Sequence, residues 1–162
     1  MKEVTENNQG TAQTANNLLL AAFQQAHAGT MPQAALQEVI DFVKTANTGF
    51  HCPLVTAAGG LFYCNFNSEV EDGLGGKYQW SHSVWGIGTL GGGAGGGTLF
   101  TNHTMEQIAR LTSRISATIL PVTALATFHA DDSTLLATLT AGGYFAPAYS
   151  FTGGGAGTWI KQ

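Results

Sequence analysis

The glycines constrain this chain more than any other feature. Gly75-Gly76-Lys77-Tyr78, followed by Ser83 and by Gly-Gly-Gly-Ala-Gly at 91–95, is echoed by Gly142-Gly143-Tyr144-Phe145, followed by Ser150 and by Gly-Gly-Gly-Ala-Gly at 153–157. The first copy carries about five extra residues. Glycine lets a strand bend sharply, turn, or approach another backbone closely, so this punctuation suits small, tightly curved antiparallel sheets rather than long helices. Two related halves of this kind suggest a closed barrel, because closure removes exposed sheet edges.

The pattern between the glycines agrees. Phe50, Cys52 and Leu54 alternate with His51, Pro53 and Val55. After the turn signal Ala57-Ala58-Gly59-Gly60, Phe62, Cys64 and Phe66 alternate with Tyr63, Asn65 and Asn67. This reads as a hairpin with one buried face. Tyr78, Trp80, His82 and Val84 continue the period of two on a third strand, and a short fourth strand covers 98–101. The glycine run 91–97 is expected as a wide turn or bulge between the third and fourth strands.

A helix follows. Thr104 and Gln107 have capping-box spacing, and Ile108, Leu111, Ile115 and Ile119 make an apolar stripe that Pro121 closes. Four further strands are expected at about 122–129, 134–140, 144–151 and 156–161. Upstream, residues 1–12 are polar and aperiodic and are expected to be disordered. Residues 13–48 form a helical segment: one helix over about 13–27, and a second after Thr30 and Pro32 with Leu36, Val39, Ile40 and Val43 on one face.

The expected architecture is therefore mainly β. Residues 49–162 form a compact eight-stranded antiparallel β-barrel, built from two four-stranded halves joined by an α-helix, with an N-terminal helical extension. Phe50, Phe62, Phe66, Tyr78, Trp80, Phe145, Tyr149 and Phe151 are assigned to the interior, and an eight-stranded barrel is only wide enough for such side chains to fill it.

Composition narrows the function classes. Charged residues are 10% of the chain against about 25% in an average soluble protein, so the surface rests on Ser, Thr, Asn, Gln and Gly. Six Lys and Arg against ten Asp and Glu give a net charge of -4, which argues against phosphate neutralisation on nucleic acid and against a polybasic membrane anchor. The apolar run 18–23 is too short to span a bilayer. Residues 1–10 lack the basic-then-apolar order of a secretory signal, so the protein is expected to be secreted if a signal has been removed and cytoplasmic otherwise.

No constellation in the sequence carries catalysis, and no cofactor or metal is expected. His51, His82, His103 and His129 match no ligand spacing. His82, in register with Tyr78 and Trp80, reads as a partly buried aromatic-like residue, and His129 with Asp131 and Asp132 reads as a polar turn. Glu69, Glu71 and Asp72 lack calcium-loop spacing. Cys64 alternates with Phe62 and Phe66, which places its thiol in the core, where it is inert. If the hairpin loop is three residues centred on Ala58, Cys52 and Cys64 face each other; a disulfide and two buried thiols both satisfy that pattern. The glycine run lacks a Gly-Lys-Ser/Thr ending and lies between strands, unlike a phosphate loop. With Trp85 and Phe100 beside it, Gly91, Gly92 and Gly93 make a candidate contact surface for protein or lipid.

The order of four strands, helix and four strands, with Gly-Gly-Lys-Tyr at 75–78 and Gly-Gly-Gly-Ala-Gly at 91–95 and 153–157, resembles the Vap virulence-associated proteins of Rhodococcus over about residues 50–162. The resemblance implies a small eight-stranded barrel with a helix at one end. It also implies a secreted effector without enzymatic activity that helps a bacterium persist in host phagocytes, with a host protein or membrane surface as partner. The two N-terminal helices and the two cysteines lie outside that pattern. A small-molecule carrier or isomerase-like barrel and a structural, self-assembling protein are the alternatives that the composition leaves.

Overall fold

In the computed structural model, residues 33–146 and 150–162 are described. The chain divides into two units, residues 1–41 and 42–162. The tail at 1–12 and the helix at 13–27 lie outside the described residues, as does Tyr149. Helix α1 (Gln33–Thr45) starts just beyond Pro32 and buries Leu36, Val39, Ile40 and Val43, spaced three and four apart as one helical face requires.

The rest is a closed barrel. Its strands are β1 (Thr48–Gly59), β2 (Tyr63–Glu71), β3 (Lys77–Gly88), β4 (Gly91–Thr101), β5 (Arg114–Ile119), β6 (Thr123–His129), β7 (Leu135–Ala146), β8 (Phe151–Ala156) and β9 (Trp159–Lys161). Helix α2 (Met105–Leu111) separates β4 from β5. All pairings are antiparallel, in the order β2-β1-β4-β7-β6-β5-β8-β3, and β3 pairs back onto β2 to close the ring. The first half runs β4-β1-β2-β3 and the second β8-β5-β6-β7, so each half is a Greek key. The halves join reciprocally, the third strand of each pairing with the fourth of the other.

β9 is the continuation of β8. Trp85 faces Gly154 on β8 and Trp80 faces Trp159 on β9 in one unbroken register, so the eighth barrel strand is interrupted only at Gly157–Thr158. His82 occupies that gap: its Nε2 lies 3.1 Å from the Thr158 carbonyl oxygen and 3.2 Å from the Thr158 nitrogen. A Cβ at Gly157 would strike the His82 ring.

Alternation carries the apolar residues inward. Phe66, Val70, Tyr78, Trp80, Val84, Leu99, Ile115, Ile119, Phe128, Leu139, Phe145 and Phe151 are buried in one cluster, and Met105 and Ile108 of α2 join it from one barrel end. Trp80, Phe128 and Trp159 meet within it with ring centroids 4.9–5.9 Å apart in tilted and edge-on geometries favoured by aromatic quadrupoles. One residue assigned to the interior sits elsewhere: Phe62 is 68% exposed, while Phe50 is partly buried and packs against the cluster. A bulge between Cys52 and Val55, at Pro53, which has no N–H to give a ladder, shifts the phase of β1 and leaves Leu54 41% exposed.

Three expected elements differ. The glycine run is not a turn: Gly91–Gly97 lies within β4, paired with β1 on one side and β7 on the other. Glycine is required there by proximity, since a Cβ at Gly93 or Gly97 would run into the carbonyl oxygen of Tyr144 or Thr140. The glycine pairs read as repeat markers are correspondingly not equivalent, because Gly75-Gly76 precedes a strand whereas Gly142-Gly143 lies inside one. Lastly, the linking helix ends at Leu111. Thr112 is extended, and Ile115, Ala117 and Ile119 alternate inward as β5. The expected strands at 134–140 and 144–151 are, over their described residues to 146, the single strand β7, which restores the count of four.

Candidate functional site

The structure brings some of the candidate contact residues together and separates others. Trp85 is 65% exposed on the outer face of β3, directly across from Tyr63 on β2, with ring centroids 6.3 Å apart. The β1–β2 turn folds over the same strand end: the Gly86 amide donates to the Phe62 carbonyl at 3.0 Å and the Gly88 amide to the Leu61 carbonyl at 2.9 Å. Leu61, Phe62, Ile87 and Leu90 are all exposed beside them. Gly91, Gly92 and Gly93 begin β4, which follows β3 in the chain but pairs with β1 and β7, and there they are half-buried ladder residues. Phe100 is not part of this surface. It sits near the other end of β4 and is only 6% exposed, because β4 spans the full height of the barrel.

Sequence reasoning found Trp85 and missed Leu61, Phe62, Tyr63, Ile87 and Leu90. Phe62 was absorbed into the hairpin's inner face by a turn placed too early. β1 runs to Gly59, the turn is 60–62, and Tyr63 rather than Phe62 opens β2. Outward-facing Tyr63 and Trp85, each on a stretch without charge (residues 60–68 and 78–90), were the available signal.

The same turn separates the cysteines. Gly59, not Cys52, stands opposite Cys64, and Cys52 faces Gly97 on β4. No disulfide joins them, and both thiols are fully buried. Burial pushes the Cys52 thiol up to about 12, against the smaller opposing effect of backbone contacts with Leu54 and Glu69. Its Sγ donates to the Leu54 carbonyl at 3.4 Å. A protonated, enclosed thiol is a poor nucleophile.

The remaining candidates serve local structure. Asp72 accepts from the amides of Leu74 and Gly76, both at 2.8 Å, and these two donors hold its carboxyl below the usual range. Asp132 accepts from the Thr134 amide at 3.0 Å, with the same direction of shift from Thr134. His129 contacts the Thr127 hydroxyl at 3.0 Å and the Ser133 carbonyl. Among the described residues no group of three His, Cys, Asp or Glu converges as a metal site.

At the α2 end of the barrel an open cleft of about 750 Å³ lies between the β2–β3 turn and the start of α2, with Asp72, Leu74, Tyr78, Met105, Glu106 and Lys161 on its walls. The Lys161 ammonium sits 5.9 Å from the Tyr78 ring centroid. No described helix is long and apolar enough to cross a membrane.

Comparison with known proteins agrees with this architecture. No curated protein matches the chain. Among solved structures, the virulence-associated protein VapB of the intracellular pathogen Rhodococcus equi superposes with a TM-score of 0.55 at 20% identity, covering 70% of this chain and 96% of VapB. VapD of the same organism gives 0.59 at 21% identity, covering 71% and 99%. At that identity both likenesses speak to the fold. The model of the Rhodococcus equi virulence-associated protein family matches residues 5–160, nearly the whole sequence, and the chain belongs to that family.

Proposed function

We propose that this protein is a virulence-associated, non-enzymatic effector that acts through its outer surface on a host protein or membrane. The observation that carries this reading is the filled interior. Side chains from every strand of the ring and from α2 form one buried cluster, within which Trp80, Phe128 and Trp159 are in mutual contact. A lipocalin-like barrel offers its interior to a ligand; here the corresponding space holds the protein's own rings, which leaves the outside. Family membership supports the virulence role, and secretion is consistent with it. Vesicle and host-lysate capture with purified protein, at acidic and neutral pH, tests the reading. Saturable capture by either is expected, and absence of binding to both at both pH values contradicts it.

One observation favours a second reading, a small-molecule carrier or isomerase-like protein. The cleft beside Tyr78 and Lys161 is large enough for a small ligand. That reading requires a compound whose binding perturbs Tyr78 and Lys161 resonances, and it falls if a broad metabolite screen leaves them unmoved.

A further inference from the structure

The directions of the strands sort the side chains along the barrel axis. β1, β3, β5 and β7 run from the α2 end toward the end formed by the β1–β2, β3–β4 and β5–β6 turns, and the even-numbered strands return. Between Thr48 and Gln162 every Asp, Glu, Lys and Arg falls within 69–77, 106–114, 131–132 or at Lys161. All four stretches lie at or next to the α2 end. Along β2 the first charge, Glu69, comes six residues after Tyr63, or about 20 Å at the rise of an extended strand.

The opposite end is apolar. It holds eight of the twelve exposed large apolar side chains among the described residues. Leu61, Phe62, Ile87 and Leu90 stand at its tip. Tyr63 and Trp85 sit one step below them, and Val122 and Tyr144 occupy the other side of the ring, where the Gly143 amide donates to the Val122 carbonyl. Eight exposed large apolar side chains gathered at one end of a barrel whose charges lie at the other mark an interaction site.

We propose that this charge-free end docks on a phospholipid bilayer, a proposal that rests on the surface action argued above and names its face and its partner. The layering supports a lipid occupant. Aliphatic and phenyl groups at the tip suit the acyl boundary, and the amphipathic rings of Tyr63, Trp85 and Tyr144 follow where Tyr and Trp belong, at the headgroup level. A protein partner would be expected to meet a polar, partly charged rim; here the nearest charges are about half the barrel's height away. A bilayer asks for no ionic counterpart. The same absence of charge fixes the lipid preference: docking does not depend on anionic headgroups or on low salt.

Flotation of the full chain with vesicles of phosphatidylcholine alone, at about 50 and about 500 mM salt, tests the proposal beside two variants. Phe62→Ser combined with Ile87→Ser removes apolar tip groups from exposed positions, and Lys161→Gln removes a charge at the far end. The wild-type protein and Lys161→Gln are expected to float equally at both salt concentrations, and the double variant roughly tenfold less, with circular dichroism showing its fold intact. Flotation of the double variant at the wild-type level would overturn the assignment of this face while leaving surface action standing. Flotation that requires phosphatidylserine and is released by salt would overturn it too. Failure of the wild-type protein to float with any vesicle would overturn the bilayer as partner, and the broader reading would then stand or fall on capture of a host protein.

Discussion

A side chain at Gly97 has nowhere to go. Even a methyl group meets the Thr140 carbonyl oxygen on β7, so Gly97→Ala must push two paired strands apart. We expect a loss of about 2 kcal/mol, the order found for overpacked interiors. That corresponds to a drop of roughly 4–8 °C in thermal midpoint for a domain of this size, readable by calorimetry. Cys52 makes a prediction in pH. Its thiol ionises at an ordinary value of 9.0 when exposed and is pushed up to about 12 by burial. Between those values the unfolded chain has lost the proton and the folded chain keeps it. The contribution is therefore complete below pH 9 and declines as pH rises toward 12, by about 1.4 kcal/mol per pH unit at most. Denaturant unfolding of wild type and Cys52→Ala across pH 8–11 checks the sign: the wild-type slope should be the steeper. At this scale the sequence was readable where one residue decides its own environment. His82, expected as a partly buried aromatic-like residue beside Trp80, is half-buried with its ring 5.0 Å from Trp80 at an edge-on angle. It was unreadable where two strands decide together, as with the cysteines, whose facing depends on where the turn falls: it lies at 60–62 rather than around Ala58, so Gly59 meets Cys64.

Elements repeat that lesson. The start of α2 was legible because its signal is local: Thr104 and Gln107 exchange hydrogen bonds at 3.0 and 3.1 Å as a capping box. Thr104→Ala is expected to cost about 1 kcal/mol, measured by chemical unfolding. The end of α2 was not legible. Ile108, Leu111, Ile115 and Ile119 fit a helical stripe, yet Ile115, Ala117 and Ile119 fit a strand equally, and pairing with β6 and β8 decides for the strand. The glycine run misled for a related reason. Glycine signals turns in isolation, and only the presence of β1 and β7 on either side makes seven residues with few side chains a strand. The β2–β3 turn, by contrast, is self-contained. Asp72→Ala removes the acceptor for the Leu74 and Gly76 amides, and hydrogen exchange at those two amides should rise while that in β3 beyond Trp80 stays unchanged. Because these amides hold the Asp72 carboxyl below its usual range, the turn should keep its protection through mildly acidic pH and lose it only as pH falls through that lowered value.

For the whole molecule, duplication and closure were legible and the working surface largely was not. Two glycine-punctuated halves predict two four-stranded units, and the structure supplies them as reciprocal Greek keys around one core. The site needed strand direction. Low charge is visible in composition, but Glu69, Arg114, Asp131 and Lys161 are distant in sequence, and only alternate strand directions gather them at the α2 end and leave the other end to Leu61, Phe62, Trp85 and Ile87. The fluorescence of the three tryptophans reads out this two-ended arrangement, because Trp80 and Trp159 are buried in the core and Trp85 alone is exposed. Emission on titration with phosphatidylcholine vesicles, with and without bromine on the acyl chains, is the most direct measurement. Emission from Trp85 is expected to shift to the blue and to be quenched by the brominated lipid, with both changes absent from Trp85→Phe. An exposed Trp85 whose emission neither shifts nor quenches when the protein is bound to vesicles would contradict docking by this end.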